Sequence, residues 1–255
     1  MSLNSNLKQF DSISLKEMDS VELMNRFDSK FIFPLLSLNE ILKNLNRYYQ
    51  VLNVEGKNIQ SYENLYLDDE KNQFYNDHHS GKNPRFKVRH RKYIDSNISF
   101  LEVKEKRNGR TNKNRISSTQ WAEDFSDNQT KFLNNFSLPT KNLRKTIKTS
   151  YDRITLVSLL SAERITIDIN IQFSDKSNTV TTHEFVVAEL KQNKIQRDSP
   201  FFKKMRDMNL RQTNVSKYII GRILLDDKKS LKHNRFKSIL MKIQKLKNEH
   251  NLVRL

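Results

Sequence analysis

Along much of the chain, apolar and polar residues alternate with the two-residue period of a strand buried on one face. Arg26 to Phe33 sets Phe27, Phe31 and Phe33 against Arg26, Asp28 and Lys30. Ser61 to Asp68 sets Leu65 and Leu67 against Tyr62, Asn64, Tyr66 and Asp68. The same pattern predicts strands over Arg85 to Tyr93, Ile98 to Arg107, Arg110 to Ile116, Arg164 to Phe173 and Glu184 to Lys191. Asn108-Gly109 lies between two of these runs and signals a two-residue hairpin turn. Other stretches carry helix signals. Ser14 to Glu17 and Ser37 to Glu40 have capping-box spacing, and the second opens a helix with Ile41, Leu42, Leu45 and Tyr49 on one stripe. Further helices are predicted from about Ser118 to Phe136, at the N-cap and proline pair Ser199-Pro200, and from Thr213 to about Leu225. This order of elements predicts an α+β fold, an antiparallel sheet with helices inserted and at its end.

Charge changes the picture next. The 255 residues carry 46 Lys and Arg against 29 Asp and Glu, a formal net charge of +17. That implies an anionic partner: nucleic acid, a phospholipid surface, or a polyphosphorylated molecule or polymer. A composition biased toward Asn and Lys would give the same total, so placement has to decide. The four glycines, Gly56, Gly81, Gly109 and Gly221, are too scattered for a glycine-rich phosphate loop. Any phosphate must therefore be held by side-chain cations. The absence of Cys excludes disulfides, thiolate zinc sites and thiol nucleophiles. Met1 to Phe10 lacks the apolar core of a signal peptide, and the apolar stretches Ile154 to Leu160 and Tyr218 to Leu225 are too short to span a bilayer. A cytoplasmic location is expected.

The cations fall on strand faces. Arg85, Lys87, Arg89, Arg91 and Tyr93 share one face, as do Glu102, Lys104 and Lys106, and Lys113 with Arg115. Arg164, Thr166, Asp168 and Asn170 oppose Ile165, Ile167, Ile169 and Ile171. Glu189 and Lys191 share their side with Phe185 and Val187. One such strand is ordinary, with an apolar face to the core and a charged face to water. The set is less ordinary. Cations two residues apart repel unless anions lie between them, and Glu102, Asp168 and Glu189 stand isolated among them. Such a face suits a polyanion with a divalent metal. In a closed barrel it would line the lumen. Binders of single-stranded nucleic acid interleave aromatics with cations, whereas these faces carry chiefly Tyr62, Tyr66 and Tyr93. No specific nucleic acid is expected.

These residues, in order, resemble the VTC domain of the triphosphate tunnel metalloenzyme, or CYTH-like, superfamily. The matching pieces are Asn25-Arg-Phe-Asp-Ser-Lys30-Phe31, Tyr66-Leu-Asp-Asp69, Tyr75 with His78, Arg85 to Tyr93, Phe100 to Lys106, Lys113-Asn-Arg115, Tyr151-Asp-Arg153, Arg164 to Asp168, Ala188 to Lys191 and Ser216-Lys-Tyr218. The match spans roughly 26 to 222. It implies an eight-stranded antiparallel β-barrel tunnel with a cationic lumen, flanked by helices. It also implies binding of ATP or inorganic triphosphate and of polyphosphate, with Mn²⁺ or Mg²⁺, and transfer of the ATP γ-phosphate to a growing polyphosphate chain. Carried over by position, Lys30, Arg89, Arg91, Lys104, Arg153 and Lys217 are the catalytic cations. Arg26, Lys87, Lys106, Lys113, Arg115, Arg164 and Lys191 support substrate. Glu189 is the metal ligand, and Glu102 is either a second ligand or the ion-pair partner that orients Lys104. His78 and His79 read as turn residues.

The resemblance leaves rivals. CYTH-type hydrolases open with E-x-E-x-K, but here the stretch is Arg26-Phe27-Asp28-Ser29-Lys30, so one acid has become Arg and a two-metal triphosphatase is disfavoured. A non-catalytic polyphosphate-binding module, or a subunit that meets the membrane through a membrane-protein partner, stays open. Residues 1–225 are expected to form the tunnel domain and 226–255 a basic amphipathic helix. The latter holds nine Lys and Arg against three acids, with Phe236, Ile239, Leu240, Ile243 and Leu246 at helical spacing. It reads either as a helix docked on the body with a solvated basic face or as one that engages a polyanion or membrane surface.

Overall fold

The computed structural model describes residues 2–19, 26–108, 110–118, 125–138 and 140–253. Eleven strands join one sheet. In chain order they are β1 (Ser12–Ile13), β2 (Phe27–Pro34), β3 (Tyr49–Leu52), β4 (Ile59–Asp68), β5 (Arg85–Tyr93), β6 (Ile98–Arg107), β7 (Arg110–Ser117), β8 (Arg144–Ser158), β9 (Glu163–Ser174), β10 (Thr179–Thr182) and β11 (Phe185–Gln192). Eight of them make one antiparallel path, β2-β11-β9-β8-β4-β5-β6-β7. β3 pairs with β8 and carries β1, and β10 extends β9. β5 and β6 have the bounds that alternation predicts. Arg107 pairs with Arg110 across the β6–β7 turn, where Asn108 has φ 50°, the sign a tight hairpin turn needs. The path ends at β2 and β7, which share no ladder among the described residues. The sheet is therefore a curled half-barrel. Its curl is deep enough that Lys30 and Asp28 on β2 perturb Lys106 on β6.

Two apolar cores cover the convex side. Phe31 and Phe33, Ile154 and Leu156, Ile165, Ile167 and Ile169, and Val186, Ala188 and Leu190 pack with Leu7, Ile41, Phe201 and Met205. Those partners come from helices α1 (Leu3–Leu7), α3 (Leu38–Leu42) and α6 (Pro200–Asp207). Val88, Leu101 and Val103 pack with Leu133 from helix α5 (Asp127–Asn134) and with Phe74 from helix α4 (Gln73–Ser80). The sequence alternation thus does what it implies: one face of each strand is dry, and the other keeps its charge.

Several elements differ from the sequence reading. Helix α2 (Leu15–Asp19) does start at the Ser14–Glu17 capping box, but Ser37 makes no side-chain cap. The stripe from Ile41 to Tyr49 is not one helix. Asn44 adopts φ 68°, which asparagine tolerates, and Tyr49 instead begins β3 opposite Ser158. Helix α5 starts at Ser126, whose side chain and that of Gln129 cap each other's backbone N–H. Residues 119–124 of the longer predicted helix lie outside the described residues. Helix α7 (Lys217–Leu224) begins later than Thr213, because the Thr213 N–H is used on the Lys30 carbonyl at 2.7 Å. Tyr75 and His78 stand on helix α4, not in a turn. The alternation of β9 breaks at Asn170, φ 51°, where two residues of β9 oppose one of β8. Asn170 points outward to Asp152, and Ile171 turns to the concave side with Phe173.

That switch gives the concave side an apolar floor at one end. Ile32, Tyr66, Ile147, Ile171, Phe173, Phe185 and Val187 pack there with Tyr218, Ile219 and Ile220 of α7. Gly221 lets α7 come this close, since a Cβ there would lie 2.4 Å from Ile147 and from Phe173. Helix α8 (Lys237–Val253) docks on the same floor through Ile239, Ile243 and Leu246. No helix among the described residues is long and apolar enough to cross a membrane.

Candidate functional site: a cationic lumen

Strand register assembles the charged faces into rungs. Tyr66, Arg89, Glu102 and Arg115 line up across β4 to β7, and Lys87, Lys104 and Lys113 form the adjacent rung. On the other wall Lys30 faces Glu189, which faces Thr166, and Arg153 faces Asp168. The face residues of these rungs thus share one concavity, which Asn170 leaves at the bulge.

Three carboxylates organise it. Glu102 is fully buried. Arg89 donates Nε at 2.8 Å and Nη2 at 2.6 Å to its Oε2, and Lys113 Nζ lies 2.7 Å from Oε1. Burial alone would raise the Glu102 pKa; Arg89, Arg91 and Lys113 outweigh it and hold the group well below the carboxylate range. Lys113, desolvated, falls to about 8 despite Glu102. Both oxygens of Glu102 are committed to Arg89 and Lys113 rather than to Lys104 or to open space. This geometry orients Arg89 and Lys113, not the Lys104 of the sequence reading. Asp168 is equally enclosed. Arg153 grips it with a fork of 2.6 and 2.8 Å, and Lys217 donates to the same carboxylate. Glu189 differs. Its side chain is 23% exposed, Lys30 stands 3.5 Å away, and Lys191 donates to it while also reaching Thr166 Oγ1 at 3.1 Å.

The remaining cations are less tightly held, and Arg91 reaches Glu102 only at 4.0 Å. Arg91 donates to Asn64 Oδ1 at 2.9 Å and to the Tyr151 hydroxyl at 3.1 Å. Lys87 donates to Ser216 Oγ at 3.0 Å, its one hydrogen bond among the described residues. Lys104 makes no hydrogen bond or salt bridge among the described residues. Burial, then Lys30, Arg85, Arg89 and Lys106, push Lys87 well below the usual lysine range; burial, then Arg89 and Arg91, do the same to Lys104. Other predicted residues sit toward the edges. Arg26 pairs with Asp28, Arg115 lies over the Phe100 ring at 4.4 Å, Arg164 donates to the Met18 carbonyl at 3.0 Å, and Lys106 is exposed at the far end.

Four lumen residues had no role in the sequence reading, although Asn64 and Tyr66 fell on its polar strand face. Tyr151 is buried between Arg91, Arg153 and Lys217, and although burial opposes it, Arg153 and Arg91 bring its pKa down to about 8. Ser216 presents its hydroxyl to Lys87, Asn64 holds Arg91, and Tyr66 accepts from Arg89 at 3.2 Å. For Tyr151 and Ser216 the signal was present in the quoted triplets, next to the cations chosen. Among the described residues no three His, Asp or Glu side chains converge on a metal position. The donor chemistry still fits a hard divalent ion at Glu189, because such ions take one or two carboxylates and complete their shell from phosphate and water.

A curled antiparallel half-barrel with a cationic concave face and flanking helices is the triphosphate tunnel architecture. The chain belongs to the VTC domain family, whose model matches residues 25–225. A candidate adenylate cyclase from Bacillus halodurans has a similar fold, with TM-score 0.53 and 13% identity over 77% of this chain and 98% of that one. A protein from Pyrococcus horikoshii aligns with TM-score 0.45 and 13% identity over 79% and 98%. A candidate adenylyl cyclase from Hippeastrum, described as having a dominant triphosphatase activity, aligns with TM-score 0.47 and 10% identity over 77% and 95%. No curated protein sequence matches the chain.

Proposed function

We propose that the chain is a phosphotransferase of the polyphosphate polymerase type. It binds ATP or inorganic triphosphate and a polyphosphate chain in the lumen and moves the ATP γ-phosphate onto the chain end. The observation that carries this reading is the rung Lys87–Lys104: two half-buried ammonium groups, opposed across β5 and β6, neither of which forms an ion pair with a carboxylate among the described residues. Burying uncompensated charge is costly, and a bound polyanion would remove that cost.

Phosphoryl transfer asks the protein for alignment and charge neutralisation. A terminal oxygen of the chain attacks the γ-phosphorus, the bond from that phosphorus to the β–γ bridging oxygen breaks, and ADP leaves. Arg89 is held by Glu102 and Arg153 by Asp168, so their guanidinium planes are oriented before substrate arrives. Lys30, Lys104 and Lys217 act as point charges. Glu189 would hold Mn²⁺ or Mg²⁺, which when bound neutralises charge on phosphate oxygens. No Cys exists to form a covalent intermediate.

The test is purified protein with ATP and Mn²⁺ or Mg²⁺, resolving ADP, orthophosphate and acid-stable polymer. ADP with polymer is expected. Orthophosphate without polymer would replace this reading with a triphosphatase of the same fold, and binding without turnover would make the chain a polyphosphate-holding module. Arg89→Ala with Arg91→Ala should weaken triphosphate binding by about a hundredfold or more, since hydrogen bonds to charged groups contribute about 1.5–3 kcal/mol each.

A further inference from the structure

The lumen cations continue past Lys87 and Lys104. Arg85 and Lys106 form the next rung outward from Lys87 and Lys104. Past them stands Arg235, from the C-terminal segment that follows the family match. Arg85 Nη1 donates to the Lys82 carbonyl at 3.1 Å, and Arg235 Nη1 donates to the His79 carbonyl at 2.9 Å. Both guanidinium groups are thus pinned to one turn at the C-terminal end of α4, each by a single N–H. The turn is shaped for this. Gly81 has φ +75°, and a Cβ there would lie 2.8 Å from Arg235 Nη1, so the glycine leaves the bed in which the guanidinium rests. The Asn234 side chain on His79 Nε2 at 2.6 Å and the Tyr75 hydroxyl on the Lys232 carbonyl at 2.8 Å fix the segment to α4.

No carboxylate pairs with Arg85, Lys106 or Arg235 among the described residues. Adjacent guanidinium groups without a counter-ion repel, and Arg235 does depress the Arg85 pKa, after burial. Such a row is stable enough to persist because backbone carbonyls hold it, and its uncommitted N–H groups stay available.

We propose that Arg85 and Arg235 form an outer subsite for a linear polyanion longer than a triphosphate, a polyphosphate chain leaving the lumen between α4 and the β5–β6 end. This deepens the proposed function and rests on it. The C-terminal segment then belongs to the binding track and is more than a prop under α7. The subsite binds chain length and leaves the inner cations to bind the triphosphate unit.

The experiment compares tripolyphosphate with long-chain polyphosphate by competition or calorimetry, on wild type, Arg235→Ala and Arg85→Ala. Each variant should lose about fivefold in affinity for the long chain, the scale of one exposed charged contact, and keep its tripolyphosphate affinity. Arg235 is exposed, so its variant keeps the fold. Equal losses for both ligands, or none for the long chain, would overturn the subsite and leave the lumen reading standing. Failure of wild type to bind either ligand would overturn both.

Discussion

The two walls of the lumen treat their carboxylates differently. On the β4–β7 wall, Glu102 is sealed, with Arg89 and Lys113 on its two oxygens. On the β2–β11 wall, Glu189 stays partly open between Lys30 and Lys191. A sealed acid among cations fixes where they point and cannot trade partners without stranding them. A half-open acid can release a lysine and take a metal. The lumen thus separates two tasks that both need a carboxylate: holding guanidinium groups in place, and leaving an oxygen for the ligand.

The largest expected contrast is in stability. Glu102→Gln leaves buried Arg89, and Lys113 at the lumen edge, without a counter-charge and should cost about 3–5 kcal/mol in denaturant unfolding. Glu189→Gln, on the half-open wall, should cost about 1 kcal/mol or less. Saturating tripolyphosphate should restore part of the Glu102→Gln loss by supplying the missing anion. Equal losses at the two sites would end the distinction between the walls. The next contrast is in metal dependence. Wild-type affinity for triphosphate should rise with Mn²⁺ or Mg²⁺, and Glu189→Gln should remove about tenfold of that affinity in metal while leaving metal-free binding unchanged or tighter. A metal effect that survives in Glu189→Gln would move the ion elsewhere.

That asymmetry was only half legible in the sequence. Alternation placed Glu102, Lys104, Glu189 and Lys191 on the inner face, because period two survives any curvature of the sheet. It could not show which acid is sealed, since that depends on Lys113 reaching across from β7 and on β2 curling back over β6. Asn170 shows the same limit. One residue in a left-handed conformation reversed the faces of Ile171 and Phe173, and the floor under α7 exists because of it. The helix stripe through Tyr49 failed for a related reason: a ladder partner in β8 outweighed local periodicity. Arg235 showed in the sequence only as one charge among many. Its place beside Gly81 is a tertiary fact.

Tyr151 gives the smallest effect and the finest test of the lumen's field. Its phenol is buried, yet Arg153, Arg91 and Lys217 bring its pKa down to about 8 from an ordinary 10.0. A depressed acid stabilises the fold in its charged form, so this contribution is complete above pH 10, where the unfolded phenol also ionises. It is lost as pH falls through about 8. Triphosphate binding has the opposite preference, because a phenolate beside Arg91 competes with phosphate for the same guanidinium. Affinity should therefore fall severalfold as pH rises through 8, with proton uptake on binding visible as a buffer-dependent heat. Tyr151→Phe should remove part of the pH dependence between 7 and 9 and reduce that proton uptake, the remainder coming from Lys113, Lys104 and Lys87, while changing affinity at pH 7 by less than about tenfold. A pH profile unchanged in Tyr151→Phe would mean that the three cations do not act on this phenol, and that the field in this part of the lumen is weaker than its geometry implies.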